Sequence, residues 1–411
     1  MKKVLIISYF YAHPANVGGA VRVQKFVKYL AEFGWQPIVL TIPTQLPDGR
    51  EGKGDVAVAD SSLPRSGATE ATSNSVMASP RFFAATPGLE VRGHPVVSSY
   101  LWLPAAIRAA TDIVERERID IVLANCDPFV SSLVAVQVAK QCKVPAVADF
   151  RDAWSFHPYW HEPRFVSKVL ESYVLKRISF LVTTSPGTTE EYVTRYRFLA
   201  SKIETVYNGF DEADFPLSTP APFDQFTIAS VGTLYVSRPL EVLFEAVRQL
   251  PSRQIRLVLI GNARGDVLNL AAKHGISRRV EIRGRMGQRD AIQEMCRAQM
   301  LFLMRRRTSM RCTPIASKGF EYIRSGLPVL AIAQEGDSVT LLREYAAQAH
   351  IVTSYSVAET AEAIEACYQD WEAGSLTMQR NAAFEAAFNR RELTRQLGLL
   401  LERVLAGQQG S

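Results

Sequence analysis

The sequence predicts an α/β protein built from two doubly wound, Rossmann-like domains that face a central cleft. Short apolar runs rich in β-branched residues alternate with segments whose apolar residues recur at helical spacing, a pattern typical of βα units and parallel sheets. This alternation occurs twice, once before and once after a proline-containing stretch. The chain has 411 residues, enough for two domains of about 200 residues each.

The predicted domain boundaries lie where the alternation of strand and helix patterns is interrupted. The first domain is predicted to cover 1–210, with a flexible insertion at 43–95, where small and polar residues and prolines dominate and no periodicity is visible. Residues 211–225, which are acidic and rich in proline, form the predicted linker. The second domain covers 226–388. Residues 389–411 are predicted to form a C-terminal helix that could pack back on the first domain.

The apolar patterns predict the elements of both domains. Strands are expected in the first domain at 4–10, 37–42, 119–126, 144–150, 180–185 and 203–209. Helices are expected between them at 20–34, 104–117, 129–142, 164–178 and 186–196. In the second domain, strands are expected at 226–232, 255–261, 280–284, 300–304, 328–333 and 350–354. Its helices are expected at 238–250, 265–274, 288–298, 314–325, 338–347, 357–370 and, in runs, across 376–406.

Composition narrows the possible partners. A net charge of +6 is modest for this length and fits anionic ligands or an anionic membrane surface, but it does not by itself indicate nucleic acid. The cysteines lack CxxC spacing and are interpreted as reduced thiols of a cytoplasmic protein rather than metal ligands. No apolar run approaches the ~20 residues of a membrane span. The apolar stretch Tyr100–Leu103 is interpreted as part of the hydrophobic core. The alternative is that it contacts the inner face of a membrane.

The stretch 305–333 carries the strongest indication of a ligand site. Thr313 is a plausible N-cap, Pro314 a plausible first helical residue, and Gly326 a stop. Arginines precede this helix at 305–307 and 311, and those at 305–307 are individually expected to be solvated rather than ligating.

Lys318 lies early in the same helix and Glu321 follows a turn later. A helix N-terminus with cations favours phosphate, and a nearby carboxylate can accept hydrogen bonds from a ribose or sugar diol. Together they predict a site for a nucleotide-sugar.

Two further strand ends in the second domain are candidates for the same site. Gly232 and Arg238 bracket a loop after a strand, and Arg238 can bind a phosphate bidentately. Gly261 and Asn262 follow the next strand, where they are placed to contact a base or ribose. An ordinary turn and a surface arginine explain these residues equally well.

The first domain offers two candidate loops for an acceptor. Gly18 and Gly19 precede a helix and would let backbone N–H groups approach a ligand, although a tight turn is an equal explanation. The loop that follows Asp149 contains Arg151, Asp152, Trp154 and His157. Aromatic faces stack on sugars, and carboxylates bind hydroxyls or act as bases. The alternative is a structural Arg–Asp pair with packed aromatics.

These motifs give the chain a resemblance to the GT-B glycosyltransferases, and within them to family 4-like enzymes. The resemblance is carried by VLIISYF…GGA, ADFRDAW, TTSPGTTEEY, VYNGFDEADF, VGTLYVSRPLEVLFEAV and, most specifically, SKGFEYIRSGLPVLA. At the position where the family has a first glutamate this chain has Thr313, and the lysine usual after the phosphate-binding arginine is absent, since Pro239 follows Arg238.

The resemblance implies a transferase that moves a sugar from a nucleoside diphosphate sugar to an acceptor hydroxyl, with retention and without a metal or other cofactor. It implies a donor site in the second domain, with Glu321 on the ribose and Lys318 and Arg238 near the diphosphate; Thr313 would lie beside the donor. Gly18, Gly19 and the 149–157 loop would line the acceptor side, with Asp152 as a catalytic candidate.

The expected acceptor is a sugar, a lipid-linked precursor or a small molecule. Polysaccharide, glycolipid or glycoside biosynthesis is the expected context, and nucleic acid is not expected as a partner. Two alternatives stay open: a nucleotide-sugar epimerase or hydrolase on the same fold, and a non-catalytic nucleotide-sugar-binding subunit, the latter suggested by Thr313.

Overall fold

The fold is that of a computed structural model, which describes residues 1–11, 17–42, 81–84, 99–126, 128–157, 164–234, 236–262, 266–308 and 315–409. The chain divides into two compact units. The first comprises Met1–Tyr207 together with Arg391–Ser411, and the second comprises Asn208–Arg390. The predicted fold class is confirmed, since each unit contains a parallel sheet flanked by helices.

The first unit contains a seven-stranded sheet with strand order β3-β2-β1-β4-β5-β6-β7, in which every pairing is parallel. Its strands are β1 Lys2–Ile7, β2 Trp35–Thr41, β3 Arg81–Ala84, β4 Ile121–Cys126, β5 Ala146–Phe150, β6 Phe180–Thr183 and β7 Ile203–Thr205. Its helices are α1 Val17–Tyr29, α2 Leu103–Glu117, α3 Val130–Cys142, α4 Arg164–Leu175 and α5 Pro186–Arg195.

The central strands of this sheet are buried on both faces because helices cover them. Every residue of β4 and β5 is buried, as expected for a parallel sheet covered on both faces. The apolar stretch at Tyr100–Leu103 contributes to the core, since Trp102 is fully buried and its ring lies 5.3 Å from that of Tyr9 in a T-shaped arrangement.

The last helix, α13 (Arg390–Gln409), packs against the first sheet for most of its length. Its buried face is formed by leucines at helical spacing and contacts Val4, Ile6 and Trp35; these leucines are Leu393, Leu397, Leu400 and Leu401. The indole Nε1 of Trp35 donates a hydrogen bond to the Gly398 carbonyl oxygen at 3.2 Å. The C-terminus of the chain is thus part of the first unit.

The second unit contains a six-stranded parallel sheet of order β10-β9-β8-β11-β12-β13. Its strands are β8 Thr227–Val231, β9 Arg256–Ile260, β10 Val280–Gly284, β11 Met300–Met304, β12 Val329–Ile332 and β13 Ala349–Val352. Its helices are α6 Arg238–Arg248, α7 Asp266–Lys273, α8 Gln288–Met295, α9 Ser317–Ser325, α10 Asp337–Tyr345, α11 Val357–Glu372 and α12 Ala382–Phe388.

The residues interpreted as a linker, 211–225, lie within this second unit. Phe215 and Phe223 are buried. Arg324 of α9 forms an ion pair with Glu212, and its guanidinium lies 4.4 Å from the ring of Phe215. The segment is therefore anchored to the helix that carries the donor candidates.

Two sequence-based predictions need correction here. The stretch 43–95 is predicted to be a flexible insertion, but within it Arg81–Ala84 forms strand β3, parallel to β2 at the edge of the first sheet; four residues are too few for a periodic pattern to show. The remaining residues, 43–80 and 85–95, lie outside the described part of the chain. Helix α9 was predicted to begin at Pro314, yet it begins at Ser317 with Ala316 in the N-cap position. Thr313 and Pro314 lie outside the described residues.

Candidate functional site

Two glycines bring backbone segments together where β8 and β9 end. Gly232 and Gly261 have φ values of 107° and 130°. The N–H of Gly232 donates to the Ile260 carbonyl oxygen at 2.8 Å, and the N–H of Gly261 donates to that of Gly284 at 2.7 Å. A Cβ on Gly261 would lie only 2.2 Å from the Gly232 carbonyl oxygen, so a larger residue does not fit. The ends of these strands therefore expose backbone without side chains.

Lys318 lies beneath the same edge of the sheet. Its ammonium group donates to the hydroxyl of Ser230, with 3.3 Å between Nζ and Oγ, and that hydroxyl donates to the Phe302 carbonyl oxygen at 3.0 Å. Burial lowers the pKa of Lys318 to about 8, and Arg305 lowers it further, against the opposing effect of Glu321. The site thus contains a poorly solvated cation, which an anionic ligand would stabilise.

Glu321 is oriented by a residue that the sequence analysis did not identify. Gln288, the first residue of α8, donates from Nε2 to Oε1 of Glu321 at 2.5 Å. On the next position of α9, the hydroxyl of Tyr322 accepts a hydrogen bond from the N–H of Val231 at 2.9 Å. These two contacts connect α9 to the strand ends of β10 and β8. Nothing in the spacing of Gln288 indicates this pairing, since the partners are 33 residues apart.

A basic pocket of about 390 Å³ lies at the carboxyl edge of the second sheet. It is lined by Arg238, Pro239, Arg306, Arg307, Ser354 and Tyr355. The guanidinium of Arg307 lies 4.6 Å from the ring centroid of Tyr355 and donates to the Thr353 and Ser354 carbonyl oxygens, each at 3.3 Å. Arg307 is therefore held in place by protein contacts before any ligand binds.

Arg306 and Arg307, which were predicted to be solvated, are both exposed, and they line this pocket beside Arg238. The side chain of Arg238 is 66% exposed, with Nη1 3.8 Å from an oxygen of Glu241, so it can move toward a ligand at little cost. Three guanidinium groups around one cavity make it attractive to phosphate.

In the first unit, a buried ion pair joins α1 to β5. Arg22 binds the carboxylate of Asp149 through Nε and Nη2, both at 2.9 Å, and both side chains are 1% exposed. Asn125 donates to the same carboxylate at 3.2 Å. Asp149 therefore has a structural role beneath the loop that follows β5, although its partner is Arg22 of α1 and not an arginine of that loop. The sequence analysis missed Arg22, although its position one turn before Phe26, on the apolar face of the helix, was a usable signal.

The loop after β5 brings three of the predicted acceptor residues together. Nε of Arg151 lies 3.4 Å from a carboxylate oxygen of Asp152, and Nε2 of His157 lies 3.8 Å from the other. All three side chains are partly exposed. Gly18 and Gly19 lie in the first turn of α1.

Trp154 is placed differently from the prediction. Its side chain is 2% exposed, and its indole is stacked on the ring of Phe129 with 4.5 Å between centroids. The interpretation of Trp154 as a sugar-stacking residue is therefore not supported by its position, because packing on Phe129 and Phe150 occupies the ring.

A buried carboxylate fixes this loop to α4. Glu171 accepts hydrogen bonds from the hydroxyl and the N–H of Ser155, at 2.5 and 3.2 Å, and from the hydroxyls of Tyr192 and Tyr196, both at 2.9 Å. Burial, together with the Glu171 charge, raises the pKa of both tyrosines, which stay protonated as donors. Glu171 was not predicted, because a lone glutamate in an amphipathic helix gives no sign of burial.

Within the described part of the chain, no three His, Cys, Asp or Glu side chains cluster in a way that would hold a metal ion. A search of the same residues finds no helix with the length and hydropathy that a bilayer span requires.

Two units, each with a parallel sheet flanked by helices, are the architecture of the GT-B fold. The family described as glycosyl transferase 4-like domain matches residues 17–209, and glycosyl transferases group 1 matches residues 213–385. The chain belongs to these glycosyltransferases, and it is an enzyme of that class. No curated protein matches its sequence significantly.

Solved structures agree with this fold. Sucrose-phosphate synthase from Thermosynechococcus elongatus superposes with a TM-score of 0.72 at 17% identity, covering 99% of this chain and 100% of its own. HepE from Anabaena in complex with UDP and glucose gives a TM-score of 0.69 at 14% identity, covering 98% and 100%. A glycosyltransferase from Rickettsia africae gives 0.68 at 14% identity, with 98% of each chain covered.

Proposed function

We propose that the enzyme transfers a sugar from a nucleoside diphosphate sugar to an acceptor hydroxyl, with retention of configuration and without a metal ion. The observation that carries this proposal is the arrangement in the second unit, where Glu321, Lys318 and the arginine pocket lie at the carboxyl edge of one parallel sheet. That edge is where doubly wound sheets bind nucleotides.

In this proposal the second unit binds the donor. The Glu321 carboxylate accepts hydrogen bonds from the ribose hydroxyls, in place of or beside its bond from Gln288. The backbone exposed at Gly232, Gly261 and Asn262 receives the nucleoside. HepE, a protein of similar fold, has been solved with UDP-glucose, which makes uridine the first base to test. Thr313 stays a proposed donor contact.

Positive charge promotes departure of the nucleoside diphosphate. Arg238, Arg306 and Arg307 neutralise the diphosphate, and Lys318 adds a cation whose charge is poorly compensated before the ligand arrives. Charge that develops on the leaving oxygen is stabilised by such preplaced cations. These four side chains supply the stabilisation that a divalent ion would give, so turnover is expected to continue in a chelator.

The first unit binds the acceptor in this proposal. Asp152, held between Arg151 and His157, orients the acceptor hydroxyl near Gly18 and Gly19. The anomeric carbon loses its bond to the β-phosphate oxygen and gains one to the acceptor oxygen. The acceptor proton passes to the leaving diphosphate, on the same face of the sugar, which retains the configuration. The four cysteines among the described residues form no disulfide, which favours the cytoplasm as the place of this reaction.

The test is turnover of a panel of uridine, guanosine and thymidine diphosphate sugars, with and without sugar, lipid-linked and small-molecule acceptors, in the presence of EDTA. Acceptor-dependent release of nucleoside diphosphate, with the product linkage assigned by NMR, is the expected result. Acceptor-independent turnover would instead indicate an epimerase or hydrolase, and binding without turnover would indicate a non-catalytic subunit. Either outcome, or a product of inverted configuration, would contradict the proposal.

A further inference from the structure

Helix α4 has one face in the core and an apolar face in solvent. Its inward residues recur at i, i+4, i+7 and i+8 and are Ser167, Glu171, Val174 and Leu175. On the opposite side, Phe165 is 79% exposed, Val166 51% and Val169 52%. Among the described residues, nothing covers these three apolar side chains at the start of the helix, and an exposed apolar cluster of this kind marks an interaction surface.

The exposed charges of the described residues 164–177 are positive. Lys168 is exposed beside the apolar residues, and Lys176 and Arg177 are exposed where the helix ends. Glu171 is the one carboxylate between residues 164 and 177, and its side chain is 0% exposed, with its oxygens bound by Ser155 and two tyrosines. The outward surface of α4 therefore presents apolar groups and cations without an acidic side chain.

The same chemistry continues beyond the end of α4. Phe198 is 42% exposed, and the ammonium group of Lys202 lies 5.4 Å from its ring centroid. Lys202 also donates to the carbonyl oxygens of Leu175 and Ile178, at 2.9 and 3.0 Å. These bonds hold Lys202 at the carboxyl end of α4, and Phe198 lies there beside it.

We propose that this surface, formed by Phe165, Val166, Val169 and Phe198 with their flanking lysines and Arg177, docks the enzyme on an anionic lipid bilayer. A helix that lies flat in a membrane interface inserts its apolar side chains among the acyl chains and places its cations at the lipid headgroups. A second copy of the chain fits this surface less well than a lipid bilayer does. A symmetric contact through this face would bring the cations of one copy against the same cations of the other. Tyr100–Leu103 is not this surface, because Trp102 is fully buried.

Docking through α4 would place the acceptor loop close to the lipid. Ser155, between Arg151 and His157 in that loop, is bound to Glu171 on the inner face of the same helix. An acceptor carried on a lipid would then reach Asp152 without leaving the bilayer. This consequence rests on the proposed function, whereas the docking surface itself does not.

The test is co-sedimentation of the full chain with vesicles of pure phosphatidylcholine and of phosphatidylcholine mixed with phosphatidylglycerol. Binding to the mixed vesicles alone, weakened by salt, is expected. The double variants F165S/V169S and K168E/K176E should each lose at least tenfold in vesicle affinity. Leu268→Ser is the matched control, because Leu268 is 50% exposed on the second unit, and it should bind as the wild type does.

Equal vesicle binding by wild type and both double variants would overturn the proposal, as would no binding of the wild type to anionic vesicles. Size-exclusion chromatography of the wild type and F165S/V169S adds a separate criterion, because a dimer that the substitutions convert to a monomer would assign this face to a protein contact instead. Turnover with a soluble acceptor should be unchanged in every variant. Loss of turnover with a soluble acceptor would show that the substituted residues affect the proposed transfer reaction. Loss of vesicle binding with unchanged turnover would concern the docking surface alone.

Discussion

The ammonium group of Lys318 lies 3.3 Å from the hydroxyl of Ser230, and that hydroxyl itself donates to a main-chain oxygen. The hydrogen-bond partner that β8 provides for Lys318 is therefore a neutral hydroxyl and not a carboxylate. Its cation is destabilised by burial and by Arg305, and its pKa falls to about 8. An anionic ligand near Lys318 would restore that pKa toward its usual value, so ligand binding and protonation of Lys318 are coupled.

This coupling predicts that donor affinity depends on pH. Below pH 8 Lys318 is charged in the free enzyme and affinity should be nearly constant. Above pH 8 each binding event must take up a proton, so affinity should fall by up to about tenfold per pH unit. Calorimetry with UDP-glucose between pH 6.5 and 9 measures this. Lys318→Arg keeps its charge throughout and should flatten the profile; an unchanged slope in that variant would disprove the role of Lys318.

The same pKa predicts how folding stability changes with pH. The folded-state pKa is lowered from 10.5 to about 8, so between these values the unfolded chain binds the additional proton. The contribution of Lys318 to the free energy of unfolding therefore rises with pH across that window. In Lys318→Met, denaturant unfolding monitored between pH 8 and 10.5 should lack this rise. A rise that persists undiminished would show that other groups cause it.

Removal of the Glu321 carboxylate should weaken donor binding. Hydrogen bonds to a charged group are worth about 1.5–3 kcal/mol, so Glu321→Ala should lower affinity for a nucleoside diphosphate sugar by about 10- to 100-fold. Gln288→Ala should have a smaller effect, because Gln288 orients Glu321 and is not itself proposed to contact ribose. Glu372→Ala, at an exposed ion pair of α11, is the control. Wild-type affinity in Glu321→Ala would reject the ribose assignment.

The arginine pocket should recognise phosphate rather than the nucleoside. Arg306→Ala and Arg238→Ala should each reduce affinity for UDP by about 10- to 100-fold, the range for charge-assisted hydrogen bonds, and leave affinity for uridine unchanged. Arg248→Ala provides a matched control, because Arg248 is exposed at the opposite end of α6. Parallel losses for UDP and uridine would mean that these arginines shape the nucleoside site instead of binding the diphosphate.

The fold was largely predictable because it depends on local patterns. The strands Val280–Gly284 and Met300–Met304 were predicted at their observed bounds. Met300–Met304 is fully buried and is an unbroken apolar run, whereas Val280–Gly284 is a half-buried edge strand in which apolar and charged residues alternate. The start of α9 was predicted wrongly, because the Thr-Pro pair at 313–314 imitates a helix N-terminus, whereas the helix begins at Ser317. A local signal of this kind can be overridden by tertiary contacts.

The site was less predictable because its geometry depends on pairs far apart in sequence. Gln288 and Glu321 are 33 residues apart, and Arg22 and Asp149 are 127 apart. Periodicity carries no information about which polar side chains meet across a sheet. Trp154 was predicted to stack on a sugar because it is an aromatic residue in a polar loop. In the structure its indole is instead packed on Phe129.

The Arg22–Asp149 pair gives a prediction about stability in the first unit. Both side chains are 1% exposed, so replacing Arg22 with Met would leave a buried carboxylate without its cation. The expected loss is about 3–5 kcal/mol in the free energy of unfolding. Guanidinium unfolding at neutral pH, monitored by far-UV circular dichroism, provides the measurement. Because removing both charges leaves no buried charge uncompensated, R22M/D149L should recover most of this loss.

The matched control is Arg391→Ala, which removes an ion pair with Glu32 whose arginine is 66% exposed. An exposed pair of this kind contributes only about 0–1 kcal/mol, so the control should unfold nearly as the wild type does. If Arg22→Met also cost less than about 1 kcal/mol, the buried carboxylate would have to be solvated or protonated. The pair would then not be what fixes β5 beneath the loop that contains Arg151 and Asp152.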